Sequence, residues 1–112
     1  MIDFYEFGRI VIDGEIYNHD VIILSGKIID NWRRKQGHEL CLADIESIID
    51  ELPRTLIIGT GESGMMKVLE EVKTTLQSRG IEVIITETRK AYAAYNKIYK
   101  TRKTAAALHL TC

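Results

Sequence analysis

The chain has 112 residues, a formal net charge of −1 at pH 7, 46% hydrophobic residues and 28% charged residues. This length predicts one domain, residues 1–112, and the composition excludes a disordered tail protein. Because the charge is close to zero, it gives no general attraction to nucleic acid or to a membrane surface, and it disfavours both as partners.

The N-terminal residues 1–6 contain acids where a signal peptide needs bases, and no apolar run approaches the length of a membrane span. The two cysteines, Cys41 and Cys112, do not form a disulfide framework. We therefore expect a cytoplasmic protein.

The first forty residues are typical of short strands joined by turns. Asp13-Gly14 is a strong hairpin-turn dipeptide, and Ser25-Gly26 ends a fully apolar run. Two hairpins are predicted, one pairing residues 9–12 with 15–17 and the other pairing residues 21–24 with 27–29.

The first helical pattern covers residues 44–52. Its apolar side chains recur at i, i+3, i+4 and i+7, which places Ile45, Ile48, Ile49 and Leu52 on one face. Pro53 ends the predicted helix, because proline cannot continue the backbone hydrogen-bond ladder.

The C-terminal half alternates strands and helices. The predicted elements are strand 55–58, turn 59–64, a helix from Met65 to Gly80, strand 81–85, a helix capped by Thr88, and strand 105–110. The inward face of the second helix is formed by Ala91, Tyr92, Tyr95, Ile98 and Tyr99. The last strand is apolar on both sides, which predicts a central position. Crossover connections of this kind normally join parallel strands, so the pattern predicts a Rossmann-like βαβαβ unit.

The turn carries the first candidate site. Its sequence, Gly59-Thr60-Gly61-Glu62-Ser63-Gly64, matches G-x-G-x-x-G between a strand and a helix, where backbone N–H groups can hold a phosphate. Glu87 follows the next strand, near the position of a ribose-binding acid. Against this, Glu62 places a negative charge in the loop, and such a turn needs glycines for its geometry alone.

A basic segment is the second candidate. Trp32, Arg33, Arg34 and His38 lie within seven residues, and this set can bind an anion or the carboxylates of a partner. The alternative interpretation is that Trp32 packs on the core while the cations remain in solvent.

Metal and nucleic-acid sites have weaker support. The spacing of His38 with Cys41 is repeated in His109 with Cys112, but residues three apart on a strand point to opposite faces, so no metal site is predicted. Bases at positions 89, 90, 97 and 100 lie opposite the tyrosines of their helix, which is typical of any surface helix.

Three segments together resemble a family of domains of unknown function that includes the adipogenesis-associated mammalian protein and the mitochondrial complex I assembly factor. They are Leu56–Gly61, Thr88-x-x-Ala91-x-x-x-Tyr95-Asn96 and Ala105–Leu110. The segment from Trp32 to His38 resembles the basic segment of prokaryotic members. One departure is Lys100–Lys103, where many relatives have a Glu-Gly-Arg-like turn.

The resemblance implies a three-layer α/β domain around a mixed sheet of about five strands, with the last strand running against its neighbours. It implies no enzyme activity and no cofactor, and it points to assembly or regulation. The leading hypothesis is a non-catalytic binding or assembly-accessory module that uses the basic segment, the glycine loop, Thr88 and Asn96. The alternative is a small phosphate- or nucleotide-binding protein, with or without enzyme activity, that uses the Gly59–Gly64 loop. Monomer and homodimer both remain open.

Overall fold

The structure is a computed structural model that describes residues 1–112. It contains ten strands in sheets of three, five and two strands, together with two α-helices. The elements are β1 (Ile2–Glu6), β2 (Arg9–Ile12), β3 (Glu15–Tyr17), β4 (Val21–Leu24), β5 (Lys27–Ile29), β6 (Glu39–Leu40), β7 (Thr55–Thr60), β8 (Lys67–Val68), α1 (Glu70–Ser78), β9 (Glu82–Thr86), α2 (Thr88–Ile98) and β10 (Thr104–His109).

Both predicted hairpins are confirmed. β2 pairs with β3 across Asp13 and Gly14, whose φ angles of 49° and 84° are the left-handed pair that a tight two-residue turn requires. β4 pairs with β5 across Gly26, which is also left-handed at φ 80°. β1 joins the first hairpin and completes the three-stranded antiparallel sheet.

The five-stranded sheet has the order β5-β4-β10-β7-β9, so β10 is central, as its apolar sequence predicts. β10 runs parallel to β7 and antiparallel to β4. The implied arrangement, with the last strand opposed to its neighbours, is therefore wrong on the β7 side. The reason is that α2 carries the chain back along the sheet, and such a crossover returns the next strand in the same direction.

Alternation along the strands divides the core into two layers. On β7, Leu56 and Ile58 pack in the cluster that contains α1, whereas Ile57 packs in the cluster that contains α2 and the three-stranded sheet. All five residues predicted for the inward face of α2 lie in or against the second cluster. The result is the predicted three-layer α/β fold around a mixed sheet of five strands.

The predicted helix over residues 44–52 is wrong. Two short 3₁₀ turns, Leu42–Asp44 and Ile49–Glu51, take its place, although Ile45 is still fully buried. The Asp44 carboxylate accepts hydrogen bonds from the main-chain N–H groups of Lys35 (3.0 Å) and Cys41 (2.9 Å), which favours a tight turn. A nine-residue segment that ends at a proline is also too short to form a stable helix without the support of tertiary contacts.

The first α-helix begins at Glu70 and not at Met65. Before it, β8 pairs with β6 in parallel, and the N–H of Lys67 donates to the His38 carbonyl at 2.8 Å. These hydrogen bonds occupy backbone groups that a helix starting at Met65 would need for its first turn, so the helix starts later. The longer helix, α2, has 11 residues, and neither helix is long and apolar enough to span a bilayer.

Candidate functional site

The glycine loop (residues 59–64) meets the C-terminal segment (residues 110–112) at the carboxyl ends of the neighbouring strands β7 and β10. β7 and β10 are parallel, so Thr60 lies beside His109 where both strands end. Gly61 has φ 102°, and a Cβ on it would lie 2.6 Å from the Thr111 carbonyl oxygen and 2.8 Å from Cδ2 of His109. Glycine is therefore required here for close packing of the protein against itself.

Most main-chain N–H groups of the glycine loop have acceptors within the protein. Those of Gly61, Glu62 and Gly64 donate to the Thr88 hydroxyl, the Thr111 carbonyl and the Gly61 carbonyl at 2.8, 2.8 and 3.3 Å. Gly59 and Thr60 belong to β7, and Ser63 is the loop residue outside the strand whose N–H has no protein acceptor. Because α1 begins six residues after Gly64, no helix N-terminus follows the loop directly. The loop thus keeps one free N–H group, that of Ser63, and lacks the adjoining helix N-terminus of a phosphate-binding turn.

Thr88 and Asn96 join elements of the fold. Glu87 takes the N-cap position that was predicted for Thr88, and the Thr88 hydroxyl instead links the Gly61 N–H to the His109 carbonyl. The Asn96 amide accepts from the Ile2 N–H at 2.8 Å and donates to the Ile2 carbonyl at 2.7 Å. Both side chains have their hydrogen bonds filled by the protein itself.

The charge of Glu62 is also compensated within the fold. Its carboxylate accepts from the Tyr5 hydroxyl at 2.9 Å and from Nη2 of Arg89 at 3.2 Å. The guanidinium of Arg89 lies 5.2 Å from the centre of the Tyr5 ring. Burial, and then the hydrogen bond to Glu62, raise the pKa of Tyr5 well above its ordinary value, so the hydroxyl remains a donor. These contacts hold the glycine loop against β1 and α2.

Trp32 is a core residue of the basic segment (residues 32–38). Its side chain is only 7% exposed, and the indole N–H donates to the Asp44 carbonyl at 3.1 Å. Its main-chain N–H donates to the Asp20 carbonyl at 2.8 Å. The guanidinium of Arg34 lies 5.0 Å from the centre of the indole. Trp32 therefore anchors the segment to the fold, as the alternative interpretation of the sequence has it.

A buried cluster of three ionisable residues lies beside the anchor, and we name it the Asp20 cluster (Asp20, Arg34 and His109). Oδ2 of Asp20 is 2.7 Å from Nη1 of Arg34 and 2.8 Å from Nδ1 of His109, while Oδ1 accepts from the Leu110 N–H at 2.7 Å. Nη2 of Arg34 also donates to the Gly37 carbonyl at 3.0 Å. The side chains of Arg34 and His109 are only 5% and 7% exposed.

Protonation within the Asp20 cluster follows from its contacts. Burial alone would raise the pKa of Asp20, but hydrogen bonds from His109, the Leu110 N–H and Arg34 outweigh it and lower this pKa below the ordinary value. The ionised carboxylate only accepts, so Nδ1 of His109 carries the proton that it receives. Nε2 of His109 is left buried without a partner.

The two arginines of the basic segment have different environments, although both line the same cleft. Arg34 contacts Nδ1 of His109, and the His38 ring centre is 6.5 Å from that of His109, so both lie near Gly61. The Arg33 side chain is exposed, has no carboxylate within 4.0 Å, and lines a cleft of about 380 Å³. The cleft is also lined by Asp20, Trp32, Arg34 and Thr111 and by the polar residues Asn18, His19 and Asn31, and it contains no residue of the glycine loop.

Sequence reasoning missed Asp20 altogether and considered His109 only as a metal ligand. A usable signal was present, because each is a polar residue at the end of a fully apolar strand. β4 starts immediately after Asp20, β10 ends at His109, and the two strands pair antiparallel. Cys41 and Cys112 are free thiols, and no group of three or more His, Cys, Asp or Glu side chains is arranged to hold a metal ion.

A protein family described as "Protein of unknown function (DUF498/DUF598)" matches residues 2–109, which is nearly the whole chain. The chain belongs to this family. No curated protein matches this DUF498/DUF598 member.

Solved structures of similar proteins share the fold over almost their full length. A conserved hypothetical protein from Pyrococcus horikoshii is 28% identical, with 100% of this chain and 99% of that chain covered and a TM-score of 0.85. A protein named MT938 is 25% identical, with 100% and 98% covered and a TM-score of 0.82. A Mth938-like domain from Bordetella pertussis is 18% identical, with 98% and 85% covered and a TM-score of 0.67. None of these names carries an activity.

Proposed function

We propose that this DUF498/DUF598 member is a non-catalytic binding or assembly-accessory module. Its contact surface runs from the basic segment toward the glycine loop, and its partner is another protein that presents carboxylates. The observation that carries this proposal is the Arg33 guanidinium, which is exposed on a braced segment and has no acidic partner within the chain.

The bracing comes from the neighbouring residue. Arg34 is held by Asp20 and stacked on Trp32, so the backbone at Arg33 is fixed from one side. A cation displayed on a rigid support loses less conformational entropy when it binds than one on a mobile loop. A guanidinium is also the group that pairs best with carboxylates, through two parallel hydrogen bonds.

One further cation and an imidazole extend the surface. Lys35 is exposed and has no salt bridge, and the exposed His38 lies between Arg34 and the start of β6. Within residues 32–38, Arg33 and Lys35 are the exposed basic residues without a salt bridge, and the flanking acids, Asp30 and Glu39, lie outside the segment. Such a face favours a partner with a matching acidic patch, and it gives little reason to expect nucleic acid.

The finer assignment follows from the resemblance in the sequence. We place the chain among prokaryotic relatives of the adipogenesis-associated protein and the complex I assembly factor, as a cytoplasmic protein without a cofactor. The assembly role of such relatives supports an accessory function here.

The test is capture of partners by the immobilised full chain and by two variants. Arg33→Ala removes the proposed contact. Arg54→Ala is the matched control, because Arg54 is also an exposed arginine without a salt bridge but lies before β7, at the opposite end of that strand. Quantitative mass spectrometry should show partners lost with Arg33→Ala and retained with Arg54→Ala. Equal retention by both variants would exclude Arg33 from the surface.

The alternative function, binding of a phosphate or nucleotide at the glycine loop, is left with few free donors. It retains support from the exposed Ser63, whose N–H lacks a protein acceptor. Thermal unfolding with inorganic phosphate, ATP and NAD at millimolar concentration tests this alternative. A ligand at a hundredfold excess over its Kd adds about 2.7 kcal/mol to the free energy of unfolding. No change in Tm with any of the three would retire it.

A further inference from the structure

The largest cavity in the molecule is independent of the proposed contact surface. It has a volume of about 610 Å³ and lies between the first hairpin, the second hairpin and the C-terminal half of α2. It shares no residue with the basic segment, the glycine loop or the Asp20 cluster. Cavities of roughly 300–1,000 Å³ are the size that small molecules occupy.

The floor of this cavity, which we name the tyrosine cavity, is apolar and aromatic. Ile12 and Ile23 lie in its wall as members of the core cluster on this side of the sheet. The rings of Tyr95 and Tyr99 are parallel, with an interplanar angle of 3° and centres 5.1 Å apart. Together they form a flat surface on which an apolar group can pack.

The hydroxyl of Tyr95 is a free donor in the lining of the cavity. The residue as a whole is only 7% exposed, but its hydroxyl is not one of the buried unpaired atoms of the protein and therefore reaches solvent. Burial, the nearby Asp13 and Tyr99 raise the pKa of Tyr95, so the hydroxyl remains protonated at neutral pH and can donate. The tyrosine cavity is thus lined by a solvent-accessible hydroxyl that has no acceptor in the protein and can donate to a polar atom of a ligand.

The rim carries one charge that the protein does not balance. Nζ of Lys27 is 2.9 Å from a carboxylate oxygen of Glu51, and Asp13 is 2.7 Å from the amino group of Met1. Lys103 is exposed and has no carboxylate within 4.0 Å. The unpaired charge of the rim is therefore positive, and it favours a ligand with a negative head group.

We infer that the tyrosine cavity binds a small apolar carboxylate, with the apolar body against Tyr95 and Tyr99 and the carboxylate near Lys103. Because Asp13 is already paired, the rim offers no free carboxylate to a cationic ligand. The apolar wall disfavours a strongly hydrated ligand. This site uses none of the residues of the proposed contact surface, so each can fail without the other.

Titration of the ¹⁵N-labelled full chain with decanoate, followed by amide chemical shifts, tests the inference. Decanoate should shift the amides of the β2–β3 turn, the β4–β5 turn and residues 95–104, and decanol should shift them more weakly. No shift in the millimolar range, or shifts confined to the glycine loop, would overturn the site. Equal binding of decanol would overturn the role of the carboxylate.

Three variants sharpen the titration. Lys103→Ala should weaken decanoate binding at least fivefold, while Lys97→Ala removes an equal charge from an exposed position of α2 outside the cavity and should leave binding unchanged. Tyr95→Phe keeps the ring and removes the hydroxyl, and should also weaken binding. Its Tm confirms that it folds. If neither Lys103→Ala nor Tyr95→Phe differs from Lys97→Ala, the assigned contacts are wrong.

Discussion

Nη2 of Arg34 lies 3.0 Å from Nδ1 of His109, although 75 residues separate them in the chain. Both groups are held by one oxygen of Asp20, which therefore balances a buried guanidinium and fixes the imidazole. Because Nδ1 of His109 and the guanidinium of Arg34 both donate, the shared carboxylate of Asp20 joins the basic segment to the end of the central strand. The proposed contact surface depends on it, because it sets the position from which Arg33 is displayed.

Asp20→Asn should lower the free energy of unfolding by about 3–5 kcal/mol, since it leaves the buried Arg34 without its counter-charge. Asp50→Asn is the control: Asp50 pairs with Arg79, but its side chain is 87% exposed. An exposed pair of this kind contributes about 0–1 kcal/mol. Urea unfolding of both variants at pH 7 measures the difference, and equal losses would show that the Asp20 cluster is not a structural centre.

The free energy of unfolding of the wild type should decrease at acidic pH because Asp20 becomes protonated. The Asp20→Asn variant should lack this contribution to the decrease. The folded-state pKa of Asp20 lies below the ordinary value of 3.8. The stabilisation is therefore fully present above pH 3.8 and is lost as the pH falls through the lower, folded-state pKa. Urea unfolding between pH 7 and the acid limit checks this. The difference between wild type and variant should shrink below pH 3.8, and a constant difference would contradict the lowered pKa.

Gly61→Ala should destabilise the fold by clearly more than Gly26→Ala. Both glycines have positive φ, 102° and 80°, and so carry a strain of about 1–2 kcal/mol for alanine. A Cβ at Gly26 meets nothing within 4 Å, whereas at Gly61 it strikes backbone oxygens of the C-terminal segment. In thermal unfolding, the loss of Tm in Gly26→Ala reports the backbone strain alone, and the additional loss in Gly61→Ala reports the steric clash. Equal losses in Tm would mean that the C-terminal segment moves aside freely.

Thr88→Val should cost about 1–3 kcal/mol, because it removes the hydroxyl that pairs the Gly61 N–H with the His109 carbonyl while keeping the side-chain volume. Thr74→Val provides the control, since Thr74 lies exposed on α1. Hydrogen exchange at the Gly61 amide is the sharper readout. It should accelerate in Thr88→Val only, and unchanged protection would indicate that another acceptor replaces the hydroxyl.

Two strands of the large sheet are predictable from the sequence because their apolar runs are uninterrupted, as in Val21–Leu24 and Ala105–Leu108. The inward face of α2 is predictable for a similar reason, since its tyrosines recur at helical spacing. Local pattern fails where a distant segment competes for the backbone. The N–H of Leu69 bonds to the Leu40 carbonyl at 3.1 Å, and this pairing shortens the helix that the apolar stripe predicts.

The site shows the same limit. The basic segment could be found because its charges are adjacent in sequence, but the fates of Arg33 and Arg34 could not be distinguished. Only the fold brings Asp20, 14 residues away, to Arg34 and leaves Arg33 unpaired. The glycine loop has the sequence of a phosphate-binding turn. The N–H groups of Gly61 and Glu62 nevertheless bond to the Thr88 hydroxyl and the Thr111 carbonyl, and no local sequence motif predicts these distant acceptors.

Charge reversal at Arg33 tests the central proposal most directly. Arg33→Glu and Arg54→Glu change the net charge equally, so any general effect of charge on capture appears in both. We predict that Arg33→Glu abolishes capture of the partner at physiological salt while Arg54→Glu retains it, with the Tm of both close to that of the wild type. Full capture by a folded Arg33→Glu variant would contradict the proposal.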